Sequence, residues 1–464
     1  LNLDEALRIG RLDAHGQADL ARSGEVSPAE LIEAAILRIE ALDPVLGAVS
    51  ARGFDLARAR VAQPVGEGPM AGVPYLLKDS LDYPGLPGRG GSRARAESPA
   101  TRSFAFTDRF DAQGLVPLGK SNMPEFGLLP VTEPLLGPVT RNPWGEGATP
   151  GGSSGGAGAA LAAGLVPMAH GSDGAGSIRI PASCCGVVGL KPGRDATVRV
   201  RARAVIEDLI VGDSLMSRSV RDVAWAFAAA HADAGREAVV APSPRRLRIG
   251  LCLDALGEGA PDPAVVRAAE GAARLCESLG HQIEVAAPSL DRAAAAQAMR
   301  ALWIHDAADA ADSVKSEGRA HLLEPWTLAL ADQAAVMPAS TLEAAMGQIA
   351  KTPRQLADWY VRYDVMLTPT LAAPPPPIGF MHPTLAPDLL MARMFDWLGY
   401  TCLQNLSGTP AISLPLAWSD DGLPIGVMFA ADRGQEDILL ALAFELEAAR
   451  PWAHLWPEPA AKAG

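Results

Sequence analysis

One stretch limits the fold more than any other: "PGGSSGGAGAALAAGLVPMAHGSDGAGSIRIPASCCG", residues 150–186. Glycine and serine crowd both ends, and alanine fills the middle. Small residues at 155–164 let a helix approach its neighbours closely, and glycine accepts backbone angles that other residues avoid. The stretch is therefore expected to form a tight turn, an Ala-rich helix and a second tight turn against a large body. The chain can supply that body. It has 464 residues, 48% of them hydrophobic, enough for a large core and too apolar for disorder.

Four readings fit such a stretch. A purely structural one, a Gly-rich turn before a packed helix, leaves "GSDGAGS" and its charges Asp173 and Arg179 without a purpose. A phosphate cradle needs Gly-Lys-Ser/Thr, or GxGxxG between a strand and a helix. Neither is present, and no lysine lies between 121 and 190. An α/β-hydrolase elbow matches Gly152-Ser153-Ser154-Gly155-Gly156, with Ser154 as nucleophile. That motif should leave a buried strand directly, yet the preceding "NPWGEGATPG" is polar and rich in Pro and Gly. The fourth reading joins two serines to a lysine.

Composition makes the fourth reading specific. Arginine outnumbers lysine 34 to 6, and the lysines stand at 78, 120, 191, 315, 351 and 462. Lys78 closes the apolar run "GVPYLL". Burial disfavours the ammonium form, and a neutral lysine can take a proton from a serine hydroxyl, which arginine cannot. A salt bridge to Asp79 at a strand end is the competing role for Lys78.

Elsewhere the pattern alternates. Two helices are expected in the first ~45 residues, the second capped by Ser27 with Pro28 at its first position and Glu30 closing a capping box. Strands are expected at "GVPYLLKDS", "GLVPLGKSNMPEFG", "LRIGLCLD", "QIEVA" and "DVMLTPT". Helices are expected at 262–279, through most of 288–362 and at 435–449, with a C-terminal hairpin turning at Asp420–Gly422. This order predicts an α/β fold: a single large domain with a central mixed, mostly parallel β-sheet surrounded by helices. Pro374–Pro377 is too short to separate domains.

The formal charge of -13 argues against a nucleic-acid partner. Five cysteines, two adjacent and none in CxxC spacing, argue against a disulfide framework or a zinc site and suit a reducing, cytoplasmic setting. No signal peptide is evident in "LNLDEALRIG", no apolar run reaches the ~18 residues of a membrane span, and nothing calls for a metal or other cofactor. A homodimer is left open.

These residues resemble the amidase signature family. "GGSSGG", then "GSDGAGSIRIPASCCGVVGLKP", carry the resemblance, with "GVPYLLKDS", "GKSNMPEFG", "TRNPW" and "SGTPAISLP…GLPIGV" matching its other blocks across nearly the whole chain. Within the family the chain is most similar to the bacterial branch that contains 6-aminohexanoate cyclic-dimer hydrolase. The resemblance implies the amidase signature fold over 1–464, a catalytic core at about 65–200 and a variable substrate-pocket region at about 300–400. It implies a Ser–cis-Ser–Lys triad: Ser177 as nucleophile, Ser153 bridging after a cis peptide, Lys78 as base. Backbone N–H groups of Gly174, Ala175, Gly176 and Ser177 would face the oxyanion, with Ser154, Asp173 and Arg179 in support. Trp303, His305 and Trp397 are candidate pocket residues; Trp326, Met381, Met391, Met394 and Phe395 share their region, and such residues at helical spacing are more often core.

The implied activity is hydrolysis of a carboxamide through a serine acyl-enzyme. Serine esterase, aryl-acylamidase, cyclic-dimer hydrolase and tRNA amidotransferase A-type subunit are the alternatives on the same triad. Two departures stand out. Many members have two glycines before the nucleophile where this chain has Ala175-Gly176, so alanine would be strained if position 175 needs positive φ. "KPGRDATVRV" also replaces the usual Lys-Pro-Thr, and the loop after it looks short.

Overall fold

The computed structural model describes residues 1–66, 68–95, 97–201, 204–257 and 259–458. Among the described residues eleven strands run in chain order: β1 (Val49–Arg52), β2 (Pro74–Lys78), β3 (Val116–Ser121), β4 (Met168–Asp173), β5 (Gly189–Lys191), β6 (Gly212–Ser217), β7 (Arg248–Leu251), β8 (Gln282–Val285), β9 (Val365–Pro369), β10 (Ala411–Trp418) and β11 (Pro424–Ala430). They form two ladders, β1-β3-β2-β4-β6 and β5-β10-β11-β9-β7-β8. An antiparallel bridge between Val188 and Ser217, with N–H···O distances of 2.8 and 3.3 Å, joins the two.

The sheet is mixed, as expected, but its balance differs from the expected parallel majority. Among the described residues, four of the nine strand pairings are parallel and five antiparallel. Parallel neighbours need a long crossover, and helices Ala105–Ala112 and Pro263–Ser278 provide two. The C-terminal hairpin needs only a tight turn, where Gly422 takes φ 79° and donates its N–H to Ser419 O. It inserts β10 and β11 between β5 and β9, and every pairing it makes is antiparallel.

Local signals account for most element ends. Helix Pro28–Leu46 has Ser27 as N-cap, Pro28 in its first turn and a reciprocal Ser27–Glu30 capping box. Ahead of it lie two helices rather than one, Leu3–Gly10 and Ala14–Ser23, because Asn2 and Asp13 each cap a helix of their own. The 288–362 region is three α-helices, Arg292–Ser316, Pro325–Val336 and Ala339–Arg362, with a 3-10 turn at Ala320–Leu322 between the first two. The second α-helix is tied to the sheet body through a buried carboxylate. Glu125 accepts from Glu324 N at 2.8 Å, Thr327 Oγ1 at 2.5 Å and Ser92 Oγ at 2.7 Å. Glu324, buried beside Glu125, is pushed up to about 8. The Pro-rich loop does not separate domains: Pro376 O accepts from Thr149 N and Ile378 N donates to Gly147 O, which fastens it to the segment before the Gly/Ser stretch.

The Ala-rich segment is the buried helix Gly155–Ala162. A Cβ added at Gly156 would stand 2.3 Å from Asn122 N and 2.5 Å from Ala48 O, both rigid backbone atoms. In an isolated helix Gly→Ala gains about 0.8–1 kcal/mol; here crowding costs about 1–3 kcal/mol or more. Gly156→Ala should therefore lower the urea midpoint. Gly271→Ala, whose new methyl would meet only Arg274 Nη2 at 3.8 Å, should raise it. Equal shifts of one sign would refute the packing argument.

Candidate active site

β2 and β4 are parallel neighbours, so their C-terminal ends emerge at one edge of the sheet, bringing Lys78 beside Ser172 and Asp173. The loop before helix Gly155–Ala162 brings Ser153 to the same edge. Lys78 Nζ lies 2.7 Å from Ser153 Oγ, 2.8 Å from Ser172 Oγ and 3.4 Å from Ser172 O. The Gly152–Ser153 peptide is cis. Ser177 sits on the turn between β4 and helix Arg179–Cys185. Both serine loops lean on Gly171 of β4, where a Cβ would stand 3.0 Å from Ile178 Cγ1 and 3.3 Å from Ser154 Oγ. Ser154 Oγ also reaches Ser172 O at 3.4 Å. Among the described residues, no hydrogen bond joins the Ser153 and Ser177 hydroxyls.

Lys78 is 1% exposed. Burial brings its ammonium down to about 7, against the pull of Asp213 in the opposite direction. It makes no ion pair with Asp79, whose carboxylate instead accepts from Arg89 N and Gly91 N. The amine is thus held between hydroxyls in a place that disfavours its charge.

Asp173 organises the turn that carries Ser177. Its carboxylate accepts from Gly176 N at 2.7 Å, Ile178 N at 3.2 Å and Arg179 N at 3.4 Å. Arg179 adds a fork, with Nε and Nη2 each 2.9 Å from an Asp173 oxygen. Burial alone would push Asp173 up; Arg179's charge and hydrogen bonds outweigh it and hold the carboxyl at about 2. Arg179 also donates to Gln404 at 3.0 Å and Asn405 at 2.7 Å, and Asn405 Nδ2 returns to Asp173 O at 2.8 Å.

This network corrects the expected set of backbone donors. The Gly176 N–H is committed to Asp173, while the N–H groups of Gly174, Ala175 and Ser177 have no acceptor among the described residues. Gly176 takes φ 130°, whereas Phe126 and Asp195 alone among the described non-glycine residues have positive φ. Ala175 is therefore free of the strain considered for it, and its carbonyl accepts from Thr401 Oγ1 at 2.5 Å.

The three pocket candidates fare differently. Trp303 borders the turn, with its ring 3.5 Å from where a Gly174 Cβ would stand, and donates Nε1 to Leu128 O at 3.3 Å. His305 is half-buried. Trp397 belongs to the core, with its indole N–H given to Ala373 O at 3.0 Å. Trp326, Met381, Met391 and Met394 are core residues too, and Phe395 packs against them. What sequence reasoning missed is a cleft of about 320 Å³ beside Lys78, lined by Ser80, Met123, Phe126, Arg201, Glu207 and Asp306 among others. Met123 connects it to the serines: Met123 Cε and Ser153 Oγ both lie within 3.5 Å of a Cβ position at Gly127. Burial, then the neighbouring Glu207, push Asp306 up to about 7. An i, i+3 pair of aspartates, Asp306 and Asp309, was the only sequence hint of this wall.

Replacing Arg179 by Ala would leave Asp173 charged and buried without its main partner. A loss of about 3–5 kcal/mol in urea unfolding is expected. A loss under about 1 kcal/mol would show that the pair is not holding the turn.

Comparison with known proteins gives one answer. The sequence model of the family described as Amidase matches residues 30–440. A protein of Mycobacterium leprae (strain TN) named AmiC, provisionally described as an amidase, is 41% identical over 97% of each chain. The 6-aminohexanoate-cyclic-dimer hydrolase of Pseudomonas sp. (strain NK87) is 36% identical over 96% of each chain. A solved structure of 6-aminohexanoate cyclic dimer hydrolase superposes with a TM-score of 0.89 at 34% identity, covering 97% of this chain and 99% of the other.

Proposed function

The chain belongs to the amidase signature family and is an amide hydrolase; from that premise we propose that Ser177 is its nucleophile, Ser153 the proton relay and Lys78 the base. The observation that carries this is the 2.7 Å contact between the buried Lys78 amine and the Ser153 hydroxyl. Neutral Lys78 takes the Ser153 proton, Ser153 takes that of Ser177, and Ser177 Oγ adds to the amide carbon. The N–H groups of Gly174, Ala175 and Ser177, which lack an acceptor among the described residues, are the donors available to the resulting oxyanion. The relayed proton passes to the leaving nitrogen, the C–N bond breaks, and water then hydrolyses the Ser177 ester.

The substrate is a small amide, linear or cyclic. A cleft of about 320 Å³ falls within the range of small-molecule sites, and similarity to cyclic-dimer hydrolases favours a molecule with two amide groups. Helix Arg292–Ser316 of the variable region gives Asp306 and Asp309 to the cleft wall. A panel of anilides, linear diamides and cyclic diamides, each with a matched ester, would rank these classes.

A serine-directed fluorophosphonate should modify Ser177 alone, as mapped by mass spectrometry; an adduct on Ser154 would assign the chemistry elsewhere. Because the base must be neutral, turnover should rise with pH along an acidic limb centred near 7, where burial places Lys78. Below that midpoint the rate should drop about tenfold per pH unit. Lys78→Arg keeps charge and reach but cannot deprotonate, and should lose about 10²-fold or more in kcat while remaining folded by circular dichroism. Dialysis against a chelator should leave turnover unchanged; a loss restored by zinc would overturn the mechanism.

A further inference from the structure

Lys78 stands near a second set of charges. Ser172, whose hydroxyl Lys78 reaches at 2.8 Å, lies directly opposite Asp213 in the antiparallel pairing of β4 with β6. Directly opposed residues project from the same face of a sheet. Two residues earlier on that face, His170 Nε2 is 3.1 Å from Asp213 Oδ1, placed to donate its proton. Burial holds His170 below the usual imidazole range, which favours its neutral form. The remaining partner of Asp213 is Arg201, whose Nη2 donates to the same carboxylate while its Nε lies 3.6 Å from Glu207 Oε2.

The other groups around the amine are accounted for. Asp173 of β4 is balanced by Arg179. Glu207, on helix Val205–Ile210, faces Arg201. Asp79, next to Lys78 in sequence, is held by backbone N–H groups, and Lys120 of β3 gives its ammonium to Leu81 O. Asp213 is thus the carboxylate with most influence on Lys78, and Arg201 is its one cationic partner among the described residues. The two differ in access. The Asp213 side chain is 4% exposed, while that of Arg201 is 21% exposed and lines the 320 Å³ cleft.

We propose that Arg201 is a positioning residue for the base: by neutralising Asp213 it prevents that carboxylate from holding Lys78 as an ammonium. The inference rests on Lys78 being the base. A buried carboxylate without its guanidinium would stabilise a nearby cation, since opposite charges favour each other's ionised forms. Arg201 also repels the Lys78 ammonium directly, and both effects act in the same direction.

The test reads the rate of Ser177 phosphonylation by a fluorophosphonate across roughly pH 5 to 10. This rate needs the base but no knowledge of the natural substrate. Arg201→Gln should move the acidic limb up by about one pH unit or more. Asp213→Asn should move it down, and the double variant should return near the wild-type midpoint. Arg201→Lys, which keeps the charge, should stay close to wild type. A merely structural role would lower the rate at every pH without opposite shifts or mutual compensation. If Arg201→Gln fails to fold, an unmoved limb in Asp213→Asn overturns the proposal and a downward shift supports it. If Lys78→Arg is labelled as fast as wild type, the base assignment falls and this inference with it. If Lys78→Arg is inert but the limb stays put in the other variants, the base assignment stands and the role of Arg201 is overturned.

Discussion

The buried pair of Asp173 and Arg179 is the interaction on which the site depends. Two charges taken out of water rarely repay their desolvation by attraction alone. Here the remaining hydrogen-bonding capacity is used to build structure. Asp173 collects the N–H groups of Gly176, Ile178 and Arg179, and Arg179 reaches the helix Cys402–Ser407 through Gln404 and Asn405. One ion pair thus sets the shape of the Ser177 turn and docks a C-terminal helix against it. That same use removes Gly176 from the set of donors open to a substrate, which is why the turn offers fewer free N–H groups than its sequence suggests.

Among the described residues three lysines are buried, Lys78, Lys120 and Lys191. Burial lowers all three: Lys78 and Lys191 to about 7, Lys120 to about 8. Burial alone therefore does not single out a base. The partners do. Lys120 and Lys191 donate to the carbonyls of Leu81 and Pro192. A carbonyl oxygen only accepts, so it leaves an amine nothing to receive. A hydroxyl both donates and accepts. Lys78, between Ser153 and Ser172, can keep a hydrogen bond after losing its proton, and its lone pair meets a hydroxyl hydrogen.

Much of this was legible in the sequence wherever a local rule sufficed. Ser27, Pro28 and Glu30 announce a helix start, "GVPYLLK" announces a buried strand ending on a scarce lysine, and Gly422 marks the hairpin turn. β4 and β6 were not legible: "MAHGSD" and "GDSLMS" are buried strands without an apolar alternation, because their polar side chains find partners on other elements. Glu125 and Glu324 meet across 199 residues, and Arg179 and Asn405 across 226. No spacing rule reaches that far. The parallel majority expected of the sheet failed for a related reason: the hairpin reads clearly on its own, but nothing local says that it inserts between β5 and β9.

That insertion has a consequence for how the protein is made. Synthesis proceeds from the N-terminus, and domains on the ribosome fold as their parts become available. The strands carrying Lys78 and Asp173, and the loops carrying Ser153 and Ser177, emerge in the first half of the chain. The residues that brace the Ser177 turn, Thr401, Gln404 and Asn405, lie 225 or 226 positions after the residues they contact, and the hairpin that joins β5 to β9 comes later still. Until then the Arg179 side chain has only Asp173 of its partners among the described residues, and β5 lacks its neighbour β10. A nascent chain would hold the nucleophile, the relay and the base long before it could hold them in place, so hydrolysis would begin only after these later residues had been made.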